Sequence, residues 1–404
     1  MSGEVPPSVQ ALMNITGNID DVEYHAALLE AASGDLELAT ALHFDSIGND
    51  NSAAASSSTQ PLRDLSSIPR EILEEFLGRA FHPSPLLRNS AELKEMMIAD
   101  RLSQRIARSQ YCWSLNFDKD FLSDLLYEGF LPISSCVPAE NLGTSEPLYV
   151  LQPKLHLQRC IIDWPKLHCS KKARKLAKRY TLTVSTAFEQ VLLACVEQHG
   201  EDWLYPPTRQ AYTELSGTPR PGDGPTPLAI SFELWAEASA DQAPAAAAAA
   251  TVAAATAAAT AAAAATVAAA TAEQATTPPP AATTGQATRR LVAGEFGAIC
   301  GSNYLSLSGF RAEDNAGSVQ MYLTAETLRL AGFAHWDLGQ DHEYKFKMGG
   351  ELVPRADFLR RFRRIRDAQN SLGELLELCG HEFTEAKLAA RAAEKHVEAE
   401  AARS

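Results

Sequence analysis

One acidic residue, Asp337, lies where the sequence pattern predicts the end of a buried strand. Residues 291–299 alternate apolar and small side chains between glycines, which predicts a bulged strand. Apolar residues then recur at near-helical spacing from Ser318 to Ala331, and residues 333–338 predict a second short strand. A strand–helix–strand unit with an acid at the carboxyl end of its last strand favours an α/β acyl-transfer core. The alternative is an ordinary α/β core in which Asp337 only caps a neighbouring element or forms an ion pair.

Two basic blocks provide candidate phosphate ligands. The first, within a predicted helix, comprises Lys171, Lys172, Arg174, Lys175, Lys178 and Arg179. The second, Arg360 to Arg366, is spread around its predicted helix. Local basic patches bind phosphate whatever the global charge, although the first block could equally be a solvated helix face.

The composition excludes several classes of protein. The 404 residues carry a net charge of −14, which argues against a surface coated for nonspecific nucleic-acid binding. No run of large apolar residues approaches the roughly 20 needed to span a membrane, and the N-terminal residues lack the pattern of a secretory signal. The seven cysteines are scattered without zinc-like spacing, so we expect reduced thiols and no metal site. These features favour the cytosol or nucleus, and we predict a cytoplasmic location.

Residues 8–45 have the pattern of three short amphipathic helices. Three features stand out in this segment: the loop Ile15-Thr16-Gly17, the small and apolar residues of the second helix, and the stretch Gly34-Asp35-Leu36-Glu37. This segment resembles a ubiquitin-associated (UBA-like) domain. The resemblance implies an apolar ubiquitin-binding patch, whose residues are Ile15, Thr16, Gly17, Leu42 and Phe44. The alternative is a helical bundle that binds nothing.

A low-complexity tract interrupts a predicted hairpin. Residues 228–236 alternate as a strand, with Ile230, Phe232 and Leu234 on one face and Ser231, Glu233 and Trp235 on the other. The next strand begins near Arg290, so the Ala/Thr-rich residues 237–288 occupy the hairpin tip. Because the entropy cost of loop closure grows only logarithmically with length, a disordered insertion is tolerated there.

An ordered set of short motifs extends from about residue 121 to residue 362. The stretches are Tyr127–Pro132, His168–Ser170, Thr183–Val191, Asp202–Leu204, Ala211–Leu215, Ser231–Trp235, Leu291–Gly297 and Asn315–Ser318, followed by Asp337, Met348–Gly350 and Pro354–Leu359. In order and spacing, this set resembles the leucyl/phenylalanyl-tRNA–protein transferase family. For example, Leu291–Gly297 resembles the family's L-V-G-G-L-Y-G, and Ser231–Trp235 resembles part of its H-S-V-E-V-W.

The resemblance implies an α/β (α+β) fold. We expect a mixed-sheet core like that of GNAT-type N-acetyltransferases, a smaller N-terminal α/β subdomain and the three-helix UBA-like bundle. The expected organisation is the UBA-like domain at 8–45, a disordered linker at 46–66, a helical region with the transferase N-terminal part at 67–227, an acyltransferase-like core at 228–366 and a charged helical tail at 367–404.

The resemblance also implies a reaction. Enzymes of this family move an aminoacyl group from tRNA to the N-terminal amine of a protein and so mark that protein for degradation. The expected activity is therefore transfer of Leu, Phe or a similar residue, linked to N-degron (N-end rule) turnover. The expected partners are aminoacyl-tRNA as co-substrate, proteins with basic N-terminal residues and, through residues 8–45, ubiquitin. No other cofactor and no membrane partner are expected.

Two positions depart from the family pattern. The family's G-E-S-M-F-S corresponds to residues 306–311, so Leu307 stands where the family has glutamate. The family's D-C-Q corresponds to residues 337–339, so the glutamine falls on Gly339, with Gln340 one residue late. On a strand, a one-residue offset points a side chain to the opposite face.

Aminolysis of an aminoacyl ester needs positioning more than a strong base. A free α-amine has a pKa of about 7.7–8.0, so a fair fraction is already neutral at pH 7, and most of the benefit comes from orientation and from hydrogen bonds to the oxyanion. Asp337 is the candidate to orient or deprotonate the amine, and the predicted catalytic set is Asp337 with Gln340.

The predicted substrate-binding residues are Trp203, Glu233, Trp235, Ser308 and Asn315. The two tryptophans could wall an apolar aminoacyl pocket, or could simply belong to the core. Glu233 could bind a basic N-terminal side chain, or form an ion pair on its strand face. The first basic block, Lys171 to Arg179, is the candidate tRNA-binding surface.

Two hypotheses follow. One is an active aminoacyl-tRNA–protein transferase; the alternative is a non-catalytic adaptor that keeps the fold and binds an N-terminus or ubiquitin. Leu307 and Gly339 favour the adaptor, whereas Asp337 and the basic helix favour the enzyme. We expect the enzyme to bring Asp337, Glu233 and Trp235 to one cleft beside the basic helix. Burial and pairing of Asp337 away from any cleft would weaken the enzymatic interpretation.

Overall fold

A computed structural model describes residues 6, 8–9, 12–13, 22–31, 64–98, 110–238 and 289–401. The chain forms two compact units: the first comprises 1–157 and 201–214, and the second comprises 158–200 and 215–404. The predicted ubiquitin-binding residues Ile15, Thr16, Gly17, Leu42 and Phe44 lie outside the described residues. The same is true of the Ala/Thr-rich tract from 239 to 288.

The described residues form both helices and strands. In chain order, these are α1 (Val22–Ala31), α2 (Arg70–Ala80), α3 (Ser90–Met97), α4 (Lys119–Tyr127), β1 (Leu131–Val137), β2 (Leu148–Lys154), β3 (Gln158–Ile162), α5 (Lys171–Ala177), β4 (Tyr180–Val184), α6 (Phe188–His199), α7 (Pro206–Glu214), β5 (Leu228–Glu237), β6 (Arg289–Cys300), β7 (Asn303–Arg311), α8 (Ala316–Leu330), β8 (His335–Gly339), α9 (Glu343–Lys347), β9 (Glu351–Pro354), α10 (Arg355–Ile365), α11 (Leu372–Cys379) and α12 (Glu385–Ala401).

The first unit contains a two-stranded antiparallel sheet, β1 with β2. Leu77 and Phe81, at the end of α2, pack with Trp113 and with Val150 of β2 in one apolar cluster. The Trp113 indole Nε1 donates a hydrogen bond to the carbonyl of Ser84 at 3.1 Å, so this large side chain is buried without leaving its polar atom unpaired.

The second unit is built on a seven-stranded sheet in the order β4-β5-β6-β7-β8-β3-β9. Neighbouring strands are antiparallel except for β7 and β8, which are parallel. The connection between these two parallel strands is α8, as expected for strands that cannot be joined by a tight hairpin. The predicted mixed α/β core is therefore present, and its likeness to GNAT-type enzymes stays a prediction.

The strands β5 and β6 form the predicted hairpin around the low-complexity tract. Glu237 lies opposite Arg289 at the end where the tract is inserted. Ile230, Phe232 and Leu234 belong to the main apolar core, while Ser231 and Glu233 are hydrogen-bonded to each other on the other face. The alternation read from the sequence is confirmed.

Helix α8 covers one face of the sheet because its apolar residues recur on one side. Val319, Leu323 and Leu328 are buried in the main core. The helix ends at Leu330, and Gly332 follows with a φ of 77°, the left-handed conformation that glycine adopts most readily after a helix. The predicted helix from Ser318 to Ala331 is thus confirmed within two residues at each end.

Helix α12 is the charged tail that the sequence predicts, but it is not wholly solvated. Leu388 is buried in the main core, and the Lys395 ammonium donates to the carbonyl of Leu330 at 2.6 Å. Within the described ranges, no helix combines the length and apolar character that crossing a membrane requires.

The turn between α9 and β9 depends on a glycine. Gly349 has a φ of 94°, and a Cβ at this position would lie 1.9 Å from the Lys166 carbonyl oxygen. Gly332 also has a positive φ, 77°, but its Cβ would meet nothing within 4 Å. An alanine at Gly332 would therefore impose backbone strain alone. An alanine at Gly349 would impose backbone strain and a steric clash, so the difference between the two variants measures the clash.

We expect Gly332→Ala to cost about 1–2 kcal/mol of unfolding free energy from backbone strain alone. Gly349→Ala should cost at least about 2 kcal/mol more, because the Lys166 carbonyl must move. Denaturant unfolding of both variants measures this difference, and equal losses would contradict it.

Candidate functional site

Asp337 is enclosed at the centre of the sheet and paired. Its side chain is 1% exposed, and Oδ2 lies 3.1 Å from Nε of Arg159 on β3, also 1% exposed, as an ion pair not aligned for a hydrogen bond. Oδ1 accepts a hydrogen bond from the Gly339 amide at 2.9 Å. The Arg159 guanidinium lies 4.6 Å from the centre of the Phe358 ring of α10. Burial lowers the pKa of Arg159, and the charge of Asp337 opposes this shift.

The chain leaves β8 through a left-handed turn that a lysine stabilises. Gly339 has a φ of 70°. The buried ammonium of Lys345 donates to the carbonyls on either side of it, those of Leu338 at 2.6 Å and Gln340 at 2.7 Å. Strand alternation ends at Gly339, so it does not decide the direction of Gln340. The Gln340 side chain is exposed and its Nε2 lies 3.0 Å from Nε2 of His342.

Glu233 is enclosed by hydroxyl groups and has no ion-pair partner among the described residues. The hydroxyls of Ser231, Thr183 and Thr186 all donate to its carboxylate. Burial raises its pKa, and these hydrogen bonds oppose the shift. Trp235 is joined to the same cluster, since its indole Nε1 donates to Thr183 Oγ1 at 2.8 Å.

A second enclosed glutamate, Glu295, lies on β6 and is 5% exposed. Tyr304 Oη donates to its Oε1 at 3.2 Å and Ser306 Oγ donates to its Oε2 at 3.3 Å. Burial raises its pKa from the ordinary 4.5 to about 7, against the opposing effects of hydrogen bonds from Tyr304, Gln320 and Ser306 and of the charge of Lys345. Burial lowers the pKa of Lys345 to about 8, and the charges of Cys160, Asp337 and Glu295 oppose that change.

The first basic block forms an exposed cationic surface. Helix α5 begins after Ser170, whose Oγ accepts from the Ala173 amide at 3.0 Å. All six basic residues, namely Lys171, Lys172, Arg174, Lys175, Lys178 and Arg179, are exposed. Within the described chain, none of them is found in an ion pair. In the second block, Arg360 and Arg361 are paired with Asp357 and Asp163.

The remaining predicted substrate-binding residues are dispersed. Trp203 belongs to the first unit, where its carbonyl accepts from the Ser134 amide at 2.9 Å. In the second unit, Ser308 is half-buried on β7. Asn315 precedes α8 with a φ of 67° and makes no side-chain cap.

The structure therefore brings together some predicted residues and separates others. Glu233 and Trp235 share one hydroxyl cluster through Thr183, whereas Asp337 belongs to another cluster with Arg159. Asp337 and Glu233 are both fully enclosed. The burial and pairing of Asp337 weigh against direct contact with a substrate amine.

Three charged residues that the structure places at the sheet were not among the predicted site residues. Arg159 and Glu295 were detectable in principle. Glu295 is the one charge in the otherwise apolar and small residues 291–300, and Arg159 directly precedes the apolar residues 160–162, a pattern that requires a buried partner or a function. Lys345 carried no such signal, since it lies in a short helix with other charged residues. Its burial is visible only in the structure, where its ammonium contacts the Leu338 and Gln340 carbonyls at the end of β8.

A cavity in the first unit is lined mainly by polar residues and has a volume of about 450 Å³. Its lining includes Glu71, Glu74, Arg88 and Trp113. Glu74 is paired with Arg70 and Arg88. None of the predicted site residues lines this cavity.

Comparison with known proteins gives one informative match. Residues 284–363 match the family model described as leucyl/phenylalanyl-tRNA protein transferase. This stretch includes β6, β7, α8, β8 and α9, and thus Glu295, Asp337 and Lys345. The match supports the transferase family over those residues.

Among solved structures, the crystal structure of FemX is similar at 13% identity, covering 67% of this chain and 78% of that chain with a TM-score of 0.28. At that score, the likeness carries no argument about the site.

The enclosed carboxyl group of Glu295 makes stability depend on pH. Its pKa in the folded chain is about 7, above the ordinary 4.5, so the neutral form is favoured by folding. That stabilisation is complete below pH 4.5 and is lost as pH rises through 7. We expect the unfolding free energy of wild type, relative to Glu295→Gln, to fall by about 3 kcal/mol between pH 4.5 and 8. Denaturant titrations across this range measure the trend, with Glu326→Gln on α8 as control; a difference independent of pH would contradict it.

Proposed function

We propose that this chain transfers an aminoacyl group, Leu, Phe or a similar residue, from charged tRNA to the N-terminal α-amine of a protein, in a pathway that marks the acceptor for degradation. The observation that carries the proposal is the family match over residues 284–363. The matched residues contain two enclosed carboxylates and a buried lysine, arranged around the end of β8 and the neighbouring strands. The reaction needs aminoacyl-tRNA as its co-substrate and no other cofactor.

The chemistry suits a site that positions more than it activates. Displacement of the tRNA ester by an amine is downhill, and the amine is partly neutral near pH 7. The ends of strands held by buried pairs are rigid, and rigid placement of two reactants is worth several orders of magnitude in rate. The Asp337–Arg159 pair joins β8 to β3, and the Lys345 ammonium donates to the Leu338 and Gln340 carbonyls, so buried charged groups hold the end of β8 and the turn after it.

The exposed cations of α5 support binding of the tRNA backbone. Six exposed positive charges within nine residues, on a chain of net charge −14, form a local field opposite in sign to the molecule. Such a surface attracts phosphate without reading base sequence. Proteins with basic N-terminal residues remain the proposed acceptors, and ubiquitin binding by residues 8–45 stays a prediction.

Two observations favour the second candidate function, an adaptor that binds an N-terminus or ubiquitin without transfer. Asp337 is enclosed and paired, and Gly339 stands at the position of the family's glutamine. An adaptor would keep the sheet and its buried pairs while losing the exposed groups that contact a reacting amine. Transfer by the wild-type chain decides between the two.

We expect wild type to transfer radiolabelled leucine or phenylalanine from charged tRNA to a protein with N-terminal Arg or Lys. Asp337→Asn should abolish transfer, because it removes the carboxylate charge that neutralises the buried Arg159 guanidinium, at a cost of about 3–5 kcal/mol. The matched control is Asp337→Leu combined with Arg159→Met, which removes both charges and preserves apolar packing. If the pair only maintains the fold, the double variant transfers; if Asp337 contacts the amine, it does not.

The absence of wild-type transfer with a range of charged tRNAs would contradict the transferase proposal and favour the adaptor. Thermal unfolding of each variant must accompany the assay, so that lost transfer is distinguished from lost structure.

Binding of tRNA should depend on α5. Lys172→Gln with Lys175→Gln removes two exposed charges, and the slope of log K against log salt concentration should become shallower by roughly 1–2 units. The control is Arg363→Gln with Arg364→Gln on α10, two charges of the second basic block. Filter binding or anisotropy with uncharged tRNA at several salt concentrations measures the slopes. Equal slopes for wild type and the α5 variant would exclude this helix from the tRNA contact.

A further inference from the structure

The carboxylate of Glu295 differs from the other two enclosed carboxylates in how it is neutralised. Asp337 has the Arg159 guanidinium at 3.1 Å, and Glu233 accepts from three hydroxyls. Glu295 makes no ion pair within the described ranges. Tyr304, Ser306 and Gln320 all interact with its carboxylate, but the hydrogen bonds from Tyr304 and Ser306 are long, at 3.2 and 3.3 Å. Weak neutralisation leaves a carboxylate able to change protonation state near neutral pH.

Ser306 connects this carboxylate to a less enclosed position, because the serine is only half-buried. The Trp336 indole Nε1 donates to Ser306 Oγ at 2.8 Å, and an indole nitrogen can only donate. The serine oxygen therefore accepts from Trp336, and its own hydrogen is directed to Glu295 Oε2, 3.3 Å away. The neighbouring Tyr304 hydroxyl also interacts with Ser306, so the serine is the shared member of a small group of polar side chains at Glu295.

The strand register explains how a glutamate at 295 reaches Ser306. Phe296 lies opposite Ser308, whereas Gly297 lies opposite Ser306, so Leu307 is the extra residue of a β-bulge on β7. The bulge reverses the alternation of β7 and brings Ser306 to the face of Glu295. Gly309, opposite Glu295, places no side chain over it.

The same strand register brings close together two positions, 295 and 307, at which the residue type of this chain differs from the family pattern. In the family pattern that this chain resembles, a leucine stands at the position of Glu295 and a glutamate at that of Leu307. Here the two types are exchanged between adjacent strands, and the bulge places position 307 immediately beside the serine that contacts Glu295. In this chain the carboxylate therefore stands on β6, on the strand next to the position that carries it in the family pattern.

We propose that Glu295, acting through the Ser306 hydroxyl, is the proton acceptor for the attacking α-amine; this inference rests on the proposed function. The amine nitrogen forms a bond to the aminoacyl carbonyl carbon, and its proton passes to Ser306 Oγ while the serine hydrogen passes to Glu295 Oε2. The ester bond to the tRNA ribose oxygen then breaks. That oxygen takes the proton back through Ser306, so Glu295 ends the cycle ionised.

Several groups influence the titration of Glu295. Lys345 favours the ionised form, and burial favours the neutral form more strongly. The charge of Glu295 in turn raises the pKa of Tyr304, of Tyr344 and of Cys195, after the larger effect of burial in each case. None of these three groups ionises below the pKa of Glu295. Two other groups face the site: Glu233, whose own pKa is raised by burial, acts on Tyr304, and Lys345 has a pKa of about 8.

The test is the pH profile of kcat/KM for transfer to an acceptor peptide whose α-amine is titrated separately. Wild type should show a rising limb near pH 7 beside the limb of the amine. Glu295→Gln should lose the limb near 7 and about 100-fold in rate, and Ser306→Ala should do the same. Glu326→Gln on α8 is the control and should retain both limbs.

The exchange of residue types between positions 295 and 307 allows a stricter test. Glu295→Leu should be as impaired as Glu295→Gln. Glu295→Leu with Leu307→Glu should recover transfer to within about 10-fold of wild type, on the scale of general acid–base effects, an outcome that a purely structural role of Glu295 would not produce. If the double variant does not fold, judged by its circular dichroism and melting, the pH profiles of Glu295→Gln and Ser306→Ala decide.

Transfer by Glu295→Gln at the wild-type rate and with the wild-type pH profile would overturn the inference and leave the proposed function intact. A wild-type chain that transfers nothing would overturn both. A folded double variant that does not recover transfer would overturn the inference that a carboxylate at position 307 can do the work of the carboxylate at position 295.

Discussion

The structure of the second unit depends on the free-energy cost of removing charge from water. Its sheet encloses Asp337, Glu233, Glu295, Arg159 and Lys345, each of which would destabilise the fold if left without a partner. The three carboxylates are accommodated differently: one beside a guanidinium, one by a set of hydroxyls and one with only partial compensation. The degree of compensation sets what each group can do, because a weakly compensated carboxyl, such as that of Glu295, remains able to titrate near neutral pH.

The ends of β7 and β8 show how local backbone features direct these groups. The bulge at Leu307 reverses the alternation of β7, so that Ser306 reaches Glu295 while Ser308 remains on the other face. Gly339, with its φ of 70°, ends β8, and the backbone carbonyls of Leu338 and Gln340 on either side of it both point to the Lys345 ammonium. A single extra residue and a single left-handed glycine thus decide which polar atoms meet.

The hairpin of β5 and β6 shows that the sheet tolerates a long insertion between the ends of two interior strands. The strands are paired over their whole length, up to Glu237 opposite Arg289, so the interstrand hydrogen bonds do not depend on the residues that connect them. Because the cost of closing a loop rises only with the logarithm of its length, the Ala/Thr-rich tract can expand without loss of the core. The residues that carry the proposed chemistry lie on the paired strands and on the elements that follow them.

The sequence by itself determined the elements, because hydrophobic periodicity is a local property. The alternation along β5 and the helical spacing along α8 were readable directly, and the family motifs indicated a transferase. Pairing was not readable. No local pattern joins Arg159 to Asp337, 178 positions apart, and the contacts of Lys345 with the Leu338 and Gln340 carbonyls form across the left-handed turn at Gly339. Only the tertiary structure decided that Asp337 is a buried partner and that Glu295 contacts Ser306. The physical reason is that strand register and burial depend on how the strands pair and on which elements cover them, and local periodicity does not determine either.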